Sequence, residues 1–255
     1  APLAVTQLPM QVPDFGMQFG PIRTPDILAN MRRSARDVGF EPLGCAHLAL
    51  DLYPLKRLGR LLSQVVRNHP ESLGQMDFPP GNPRLRRLIA KRYTEIGSPI
   101  KAEEILLTSG CNEALMLSLQ ATTKPGDTVL VESPTYFGVL EIMHQLGLRV
   151  VEVASDPATG IELSAVRQAL KRYPVRAGFV IPNFGNPTGA LMPDENKREL
   201  AKLFASHGAW LIEDDIFGDL AFDQSRPKPL RFFDTKKKII SAKDRRKTGR
   251  SKSRS

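Results

Sequence analysis

Three acids stand side by side at Glu213, Asp214 and Asp215, directly after the apolar run of residues 210–212. A carboxylate at the inner end of a buried strand is costly unless it meets a positive group, so its partner should be a metal, an arginine or a protonated heterocycle. The acids are adjacent rather than spaced, and no His or Cys lies near them, which makes a metal the least expected of the three. Upstream, PNFGNPTGA (182–190) forces a turn after another apolar run, with Pro187 fixing one torsion and Gly189 free to take a positive one. A plain loop would accept these residues too, but it has no need of two asparagines, Asn183 and Asn186, whose amides can donate and accept in a cleft. ESPTYFG (132–138) sets Tyr136 two residues beyond Pro134, where its ring could lie on a planar ligand or pack at the core rim. TSGCNEAL (108–115) turns through Gly110 into a helix. The free amides and positive dipole end of that helix suit a phosphate, although a tight turn alone would use the same glycine.

Something must bring these four stretches together. From Glu104 onward, short apolar runs (EILLTSG, DTVLVES, LRVVEVA, AGFVIPN, AWLIEDD) alternate with segments of helical period (NEALMLSLQA, TYFGVLEIMHQLG, LSAVRQALKRY, DENKRELAKLFASHG). That alternation predicts an α/β fold, a three-layer α/β/α arrangement around a mostly parallel sheet, whose ligands gather at the carboxyl ends of the strands. All four motifs fall at such ends. Before them, a helix is expected over Leu55 to Asn68 and another from Pro83 to near Gly97, separated by the breaker-rich FPPGNP. Residues 1–42 read as an N-terminal arm or linker.

Composition narrows the function classes. The chain has 255 residues, 41% apolar and 25% charged, with no apolar run near the roughly 20 residues of a membrane span, and is expected to be cytoplasmic. Cys45 and Cys111 form neither a disulfide framework nor a metal spacing. The net charge of +9 is local: residues 236–255 hold ten Lys or Arg and one acid, whereas residues 1–235 hold 26 basic and 26 acidic residues. The basic end could contact polyanions through charge alone, because it has no aromatic residue for base stacking.

Taken in order and spacing, SGCNEAL, ESPTYFG, NFGNPTGA and IEDDIFGDL resemble the large domain of the fold-type-I pyridoxal-phosphate aminotransferases of class I and II. The likeness is strongest to the aminotransferase-like half of MocR-type transcriptional regulators, which PPGNPRLRRLIAKRY (79–93) also matches. It covers about residues 43–235, a large domain that is incomplete. The resemblance implies pyridoxal 5'-phosphate as cofactor, with Gly110, Cys111 and Asn112 at its phosphate, Tyr136 stacked on its ring, Asn186 at the ring hydroxyl and Asp214 at the ring nitrogen. It also implies amino-group transfer between an amino acid and a 2-oxo acid, a possible homodimer, and DNA contact only through a separate winged-helix domain. The alternative reading is an effector-sensing domain of such a regulator.

Three positions depart from the family. A phosphate-binding tyrosine is replaced by Met76, and a second tyrosine by Phe217. The Schiff-base lysine, which should end the next strand in a Ser-x-Ser-Lys setting, is not found. Lys243 in SAK is the nearest imitation, but it sits in a charge run expected to be solvated, with no normal strand before it, and is not expected to serve. Residues 236–255 are therefore expected to be a disordered tail that replaces the original ending, as a shifted reading frame would. Strands such as EILLTSG and AWLIEDD should then lose neighbours, leaving the chain poorly stable and inactive.

Overall fold

In the computed structural model, residues 18–21, 50–221 and 225–243 are described. Seven strands form one sheet: β1 (Gln18–Pro21), β2 (Thr128–Ser133), β3 (Arg149–Asp156), β4 (Gly160–Ile161), β5 (Val175–Val180), β6 (Trp210–Asp214) and β7 (Ile239–Ala242). Their order is β1-β3-β2-β5-β6-β7, with β4 on β3; β1 and β4 run antiparallel to β3, and every other pair is parallel. Among the described residues there are six α-helices: α1 (Leu55–Asn68), α2 (Pro83–Glu95), α3 (Cys111–Thr122), α4 (Phe137–Gln145), α5 (Leu163–Arg172) and α6 (Asp194–His207).

The strands are apolar in succession because helices cover both faces. Side chains alternate cleanly: Leu130, Val151 and Leu211 pack with Val166 and Leu170 of α5 and Leu200 and Phe204 of α6. Their sequence neighbours Val129, Val150 and Ile212 pack with Leu115 and Leu119 of α3 and Val139 and Met143 of α4. The result is the expected three-layer α/β/α fold. Gly178 shows how close the layers lie: a Cβ there would come within 2.4 Å of the Phe204 ring. Helix ends follow local chemistry. Asn82 Oδ1 accepts from the Arg84 and Leu85 amides at 3.0 and 3.1 Å, ahead of Pro83 in the first turn of α2. Gly208 ends α6 in the left-handed region at φ +78°.

Two expectations need correction. EILLTSG joins no ladder among the described residues: Leu106 is 52% exposed, because no strand lies beside this segment to complete its hydrogen bonds. The basic end is not wholly outside the fold. Residues 239–242 form β7, which pairs along Leu211–Asp214 of β6, so β6 keeps neighbours on both sides. Ile239 and Ala242 are buried, and it is this burial that draws a nominally charged stretch into the sheet. The 1–42 arm, apart from 18–21, and residues 244–255 lie outside the described residues.

Candidate functional site at the strand ends

Asp214 ends β6 on the α3 face of the sheet and is 4% exposed. Its Oδ1 accepts from the Ile216 amide at 3.1 Å and from Cys111 Sγ at 3.6 Å. The thiol contact ties the acid to the first turn of α3, which starts immediately after Gly110 in extended conformation. Thr108 Oγ1 donates to Gly110 O at 3.0 Å, and Glu113 accepts from the Ser109 amide, fixing the turn into the helix. Tyr136, the N-cap of α4, donates from its hydroxyl to Asn112 Oδ1 at 3.3 Å. Its ring folds back over Gly138, where a Cβ would stand 2.4 Å from the ring, so glycine is required for this pose. Contacts therefore link Cys111 to Asp214 and Asn112 to Tyr136, with Gly110 at the head of the same helix.

Asn186 is half-buried, and among the described residues no hydrogen bond joins its side chain to the other five. Its loop is held instead by backbone bonds between Gly185 and Ala190 at 2.9 Å and between Gly189 and Gly185 at 2.5 Å, with Gly189 at φ +75° as expected. The Thr135 hydroxyl beside Tyr136 is buried with no hydrogen-bond partner among the described residues. A helix start, an aromatic ring, a buried carboxylate and an orphaned hydroxyl form a set of groups suited to a planar, phosphorylated, nitrogen-containing ring.

The opposite face holds a second polar assembly, one that motif reasoning did not foresee. Asn183, fully buried, accepts from Lys197 Nζ at 2.7 Å and donates to Asp215 Oδ1 at 3.0 Å. Asp215 pairs with Arg226, Arg226 Nε meets Asp219 at 2.5 Å, and Asp219 Oδ2 meets Lys243 Nζ at 2.8 Å. Arg92 reaches the same Asp219 oxygen at 3.2 Å. Burial tends to raise the Asp219 carboxyl, but the adjoining Lys243 and Arg226 prevail and hold it below its usual range. Glu213 accepts from the Leu230 and Arg231 amides, and burial together with the neighbouring Asp215 charge pushes it up to about 7. Of the two asparagines, then, Asn183 is committed to the framework.

Lys243 follows a strand after all. Its Nζ sits 5.8 Å from the centre of the Tyr93 ring, and burial pulls its ammonium below the usual lysine range. This corrects the expectation of a solvated charge run. Register decides which face it occupies. Ala242 is opposite Asp214, and Ala242 belongs to the α3-side core, so the next residue, Lys243, emerges with Asp215 on the other face.

The family model for aminotransferase class I and II matches residues 63–242. The chain belongs to this family. It is 38% identical to the uncharacterized HTH-type transcriptional regulator YdcR of Escherichia coli K12 over 80% of this chain and 44% of that protein. It is 30% identical to the 2-aminoadipate transaminase of Thermus thermophilus over 70% of this chain and 43% of the enzyme. Among solved structures, an archaeal alanine:glyoxylate aminotransferase superposes with a TM-score of 0.82 at 25% identity, covering 89% of this chain and 58% of that one. The Thermus thermophilus α-aminoadipate aminotransferase LysN, complexed with N-(5'-phosphopyridoxyl)-L-leucine, gives 0.70 at 27% identity, with 76% and 49% covered. The chain thus spans about half the length of the aminotransferases and regulators it matches.

Within this aminotransferase frame, Met76 is 73% exposed and Phe217 caps the short turn at Gly218–Leu220. Neither supplies the hydroxyl of the family tyrosine. Arg226 and Lys197, which hold the framework, were missed because their partners lie 7 to 14 residues away or more and no local spacing announces them. No group of residues able to hold a metal occurs among the described residues. No described helix is long and apolar enough to cross a membrane.

Proposed function

We propose that this aminotransferase-family domain binds pyridoxal 5'-phosphate at the α3 face of the strand ends. Gly110, Cys111 and Asn112 would receive the phosphate, Tyr136 would cover the ring, Asn186 would meet the ring hydroxyl and Asp214 the ring nitrogen. The observation that carries this reading is the buried Asp214 carboxylate tied to the first turn of α3 by Cys111. When bound, the cofactor supplies an electron sink for breaking a bond at an amino acid's α-carbon. Asp214 keeps the ring nitrogen protonated, the α3 amides hold the phosphate and so orient the ring, and Tyr136 shields its face from water. The ancestral reaction is amino-group transfer between an amino acid and a 2-oxo acid. With Lys243 on the opposite face, the chain in this form carries the cofactor without turnover. Absorbance titration with pyridoxal 5'-phosphate tests this: saturable binding is expected in the parent and in Lys243→Ala, with at least tenfold weaker binding in Asp214→Asn. Equal binding by Asp214→Asn overturns the assignment, and measurable transamination overturns the inactivity.

A second reading is favoured by the match to a transcriptional regulator: the same pocket senses cofactor and amine for a DNA-binding domain elsewhere in a longer protein. A homodimer fits either reading. Helix α1 buries none of its residues against the described chain, and nine large apolar side chains between Leu52 and Phe78 are 47–73% exposed. An apolar surface of that extent marks an association face.

A further inference from the structure

A phenylalanine ring would cover a flat ligand as well as a tyrosine ring does, so what the Tyr136 hydroxyl touches shows what that hydroxyl adds. The chain holds it in one place. Tyr136 is extended, at φ −62° and ψ 116°, just before α4, and a Cβ on Gly138 would stand 2.4 Å from both its Cζ and its Oη. The Phe137 ring lies 5.2 Å from the Tyr136 ring, centre to centre, at 51°. In that pose the hydroxyl reaches across to α3 and donates to Asn112 Oδ1 at 3.3 Å.

An asparagine amide carries its acceptor and its donors on opposite sides of one plane, and a half-turn about its last bond exchanges them. Left to itself, an exposed asparagine takes both senses. Asn112 is exposed, and it is the second residue of α3 after the N-cap Gly110. Side chains of a helix lean toward its N-terminus, so this amide stands over the end where an anion is favoured. Its sense matters there. With Nδ2 outward it adds a donor to a phosphate; with Oδ1 outward it sets the negative end of its dipole against one. A phenol is a better donor than acceptor, so the sense that offers Oδ1 to Tyr136 is the favoured one. We infer, on the footing of the cofactor reading proposed above, that Tyr136 is a positioning residue for phosphate recognition: its hydroxyl holds Asn112 Oδ1 and thereby presents Nδ2 to the cofactor phosphate. The pair makes the pocket discriminate a phosphorylated pyridine from its unphosphorylated counterpart, a task separate from covering the ring.

The test uses the full chain with pyridoxine 5'-phosphate and pyridoxine, which have no aldehyde and so form no imine with surface lysines, followed by isothermal titration calorimetry. The parent should bind the phosphorylated ligand at least tenfold more tightly. Tyr136→Phe keeps the ring, and its preference for the phosphorylated ligand should fall at least threefold; poorer stacking alone would weaken both ligands and leave the ratio where it was. Asn112→Ala should lower the preference by at least as much, and adding Tyr136→Phe to it should lower it no further, since one side chain acts through the other. Asn112→Asp keeps the oxygen that Tyr136 meets but sets a carboxylate against the phosphate, and it provides a second measure should Tyr136→Phe fold poorly: the preference should fall at least tenfold. In the parent labelled with nitrogen-15 asparagine, the Nδ2 resonances that Asn112→Asp removes should shift on addition of inorganic phosphate. A parent that fails to bind pyridoxine 5'-phosphate overturns the cofactor reading and this inference together. Binding by the parent with the preference undiminished in Tyr136→Phe or in Asn112→Asp, or losses that multiply in the double variant, overturns the inference alone. So do Asn112 resonances that phosphate leaves in place.

Discussion

Strands β5 and β7 are both short and apolar, but β5 lies between two neighbours under two helical layers, whereas β7 has β6 on one side and a cavity on the other. Around β5, side chains such as Phe179, Val180 and Leu211 are fully buried. On the flank, Leu88 and Leu106 remain more than half exposed, and α1 buries nothing. The residue types differ little between the regions. What differs is the number of neighbours, which decides whether an apolar side chain is removed from water and contributes its 1.5–3 kcal/mol or so.

That contrast can be broken or sharpened by substitution. Phe179→Ala in the closed region is expected to cost about 3–5 kcal/mol in urea unfolding, since the ring is fully buried and its cavity cannot collapse. Arg226→Met leaves the buried Asp215 with Asn183 as its one side-chain hydrogen-bond donor among the described residues, and should cost about 3–4 kcal/mol by the same measurement. A change below 1 kcal/mol would show that this assembly does not bind the strand ends together.

Burial of Glu132, which accepts from the Ile181 amide at 2.8 Å, pushes its carboxyl from 4.5 up to about 7. The folded state then holds a proton that the unfolded state releases between these values. Its contribution is fully present below about pH 4.5 and is lost as pH rises through 7, a swing of about 3 kcal/mol. Glu132→Gln keeps the acceptor and should flatten that part of the stability profile; an unchanged slope would assign it to Glu213. On the flank, Leu62→Ala, 67% exposed in α1, should change monomer stability by less than about 0.5 kcal/mol. A larger loss at high protein concentration alone would mark the α1 stripe as an association face.

Much of the fold was legible in local pattern. Four of the five apolar runs form strands, and the helices from Leu55 and Pro83 start where expected, because periodicity and capping act within a few residues. EILLTSG failed because a strand is defined by its partner. The IISA segment was misread for the converse reason, since charged neighbours concealed residues that β6 could pair. At the site, the positions of Gly110, Tyr136 and Asp214 at strand or helix ends were readable. The Cys111 contact with Asp214 and the commitment of Asn183 to Lys197 were not, because each joins residues far apart or on different elements.

By itself the sequence determined most of the segments that become helices or strands, and which four turns carry polar chemistry, since those properties depend mainly on neighbours along the chain. The tertiary structure alone decided the face of the sheet on which each side chain emerges. A shift of one residue in the pairing of β7 with β6 would carry Lys243 to the Asp214 face, and that register is set by which of Ile239, Ile240 and Ala242 can be buried against the two helical layers.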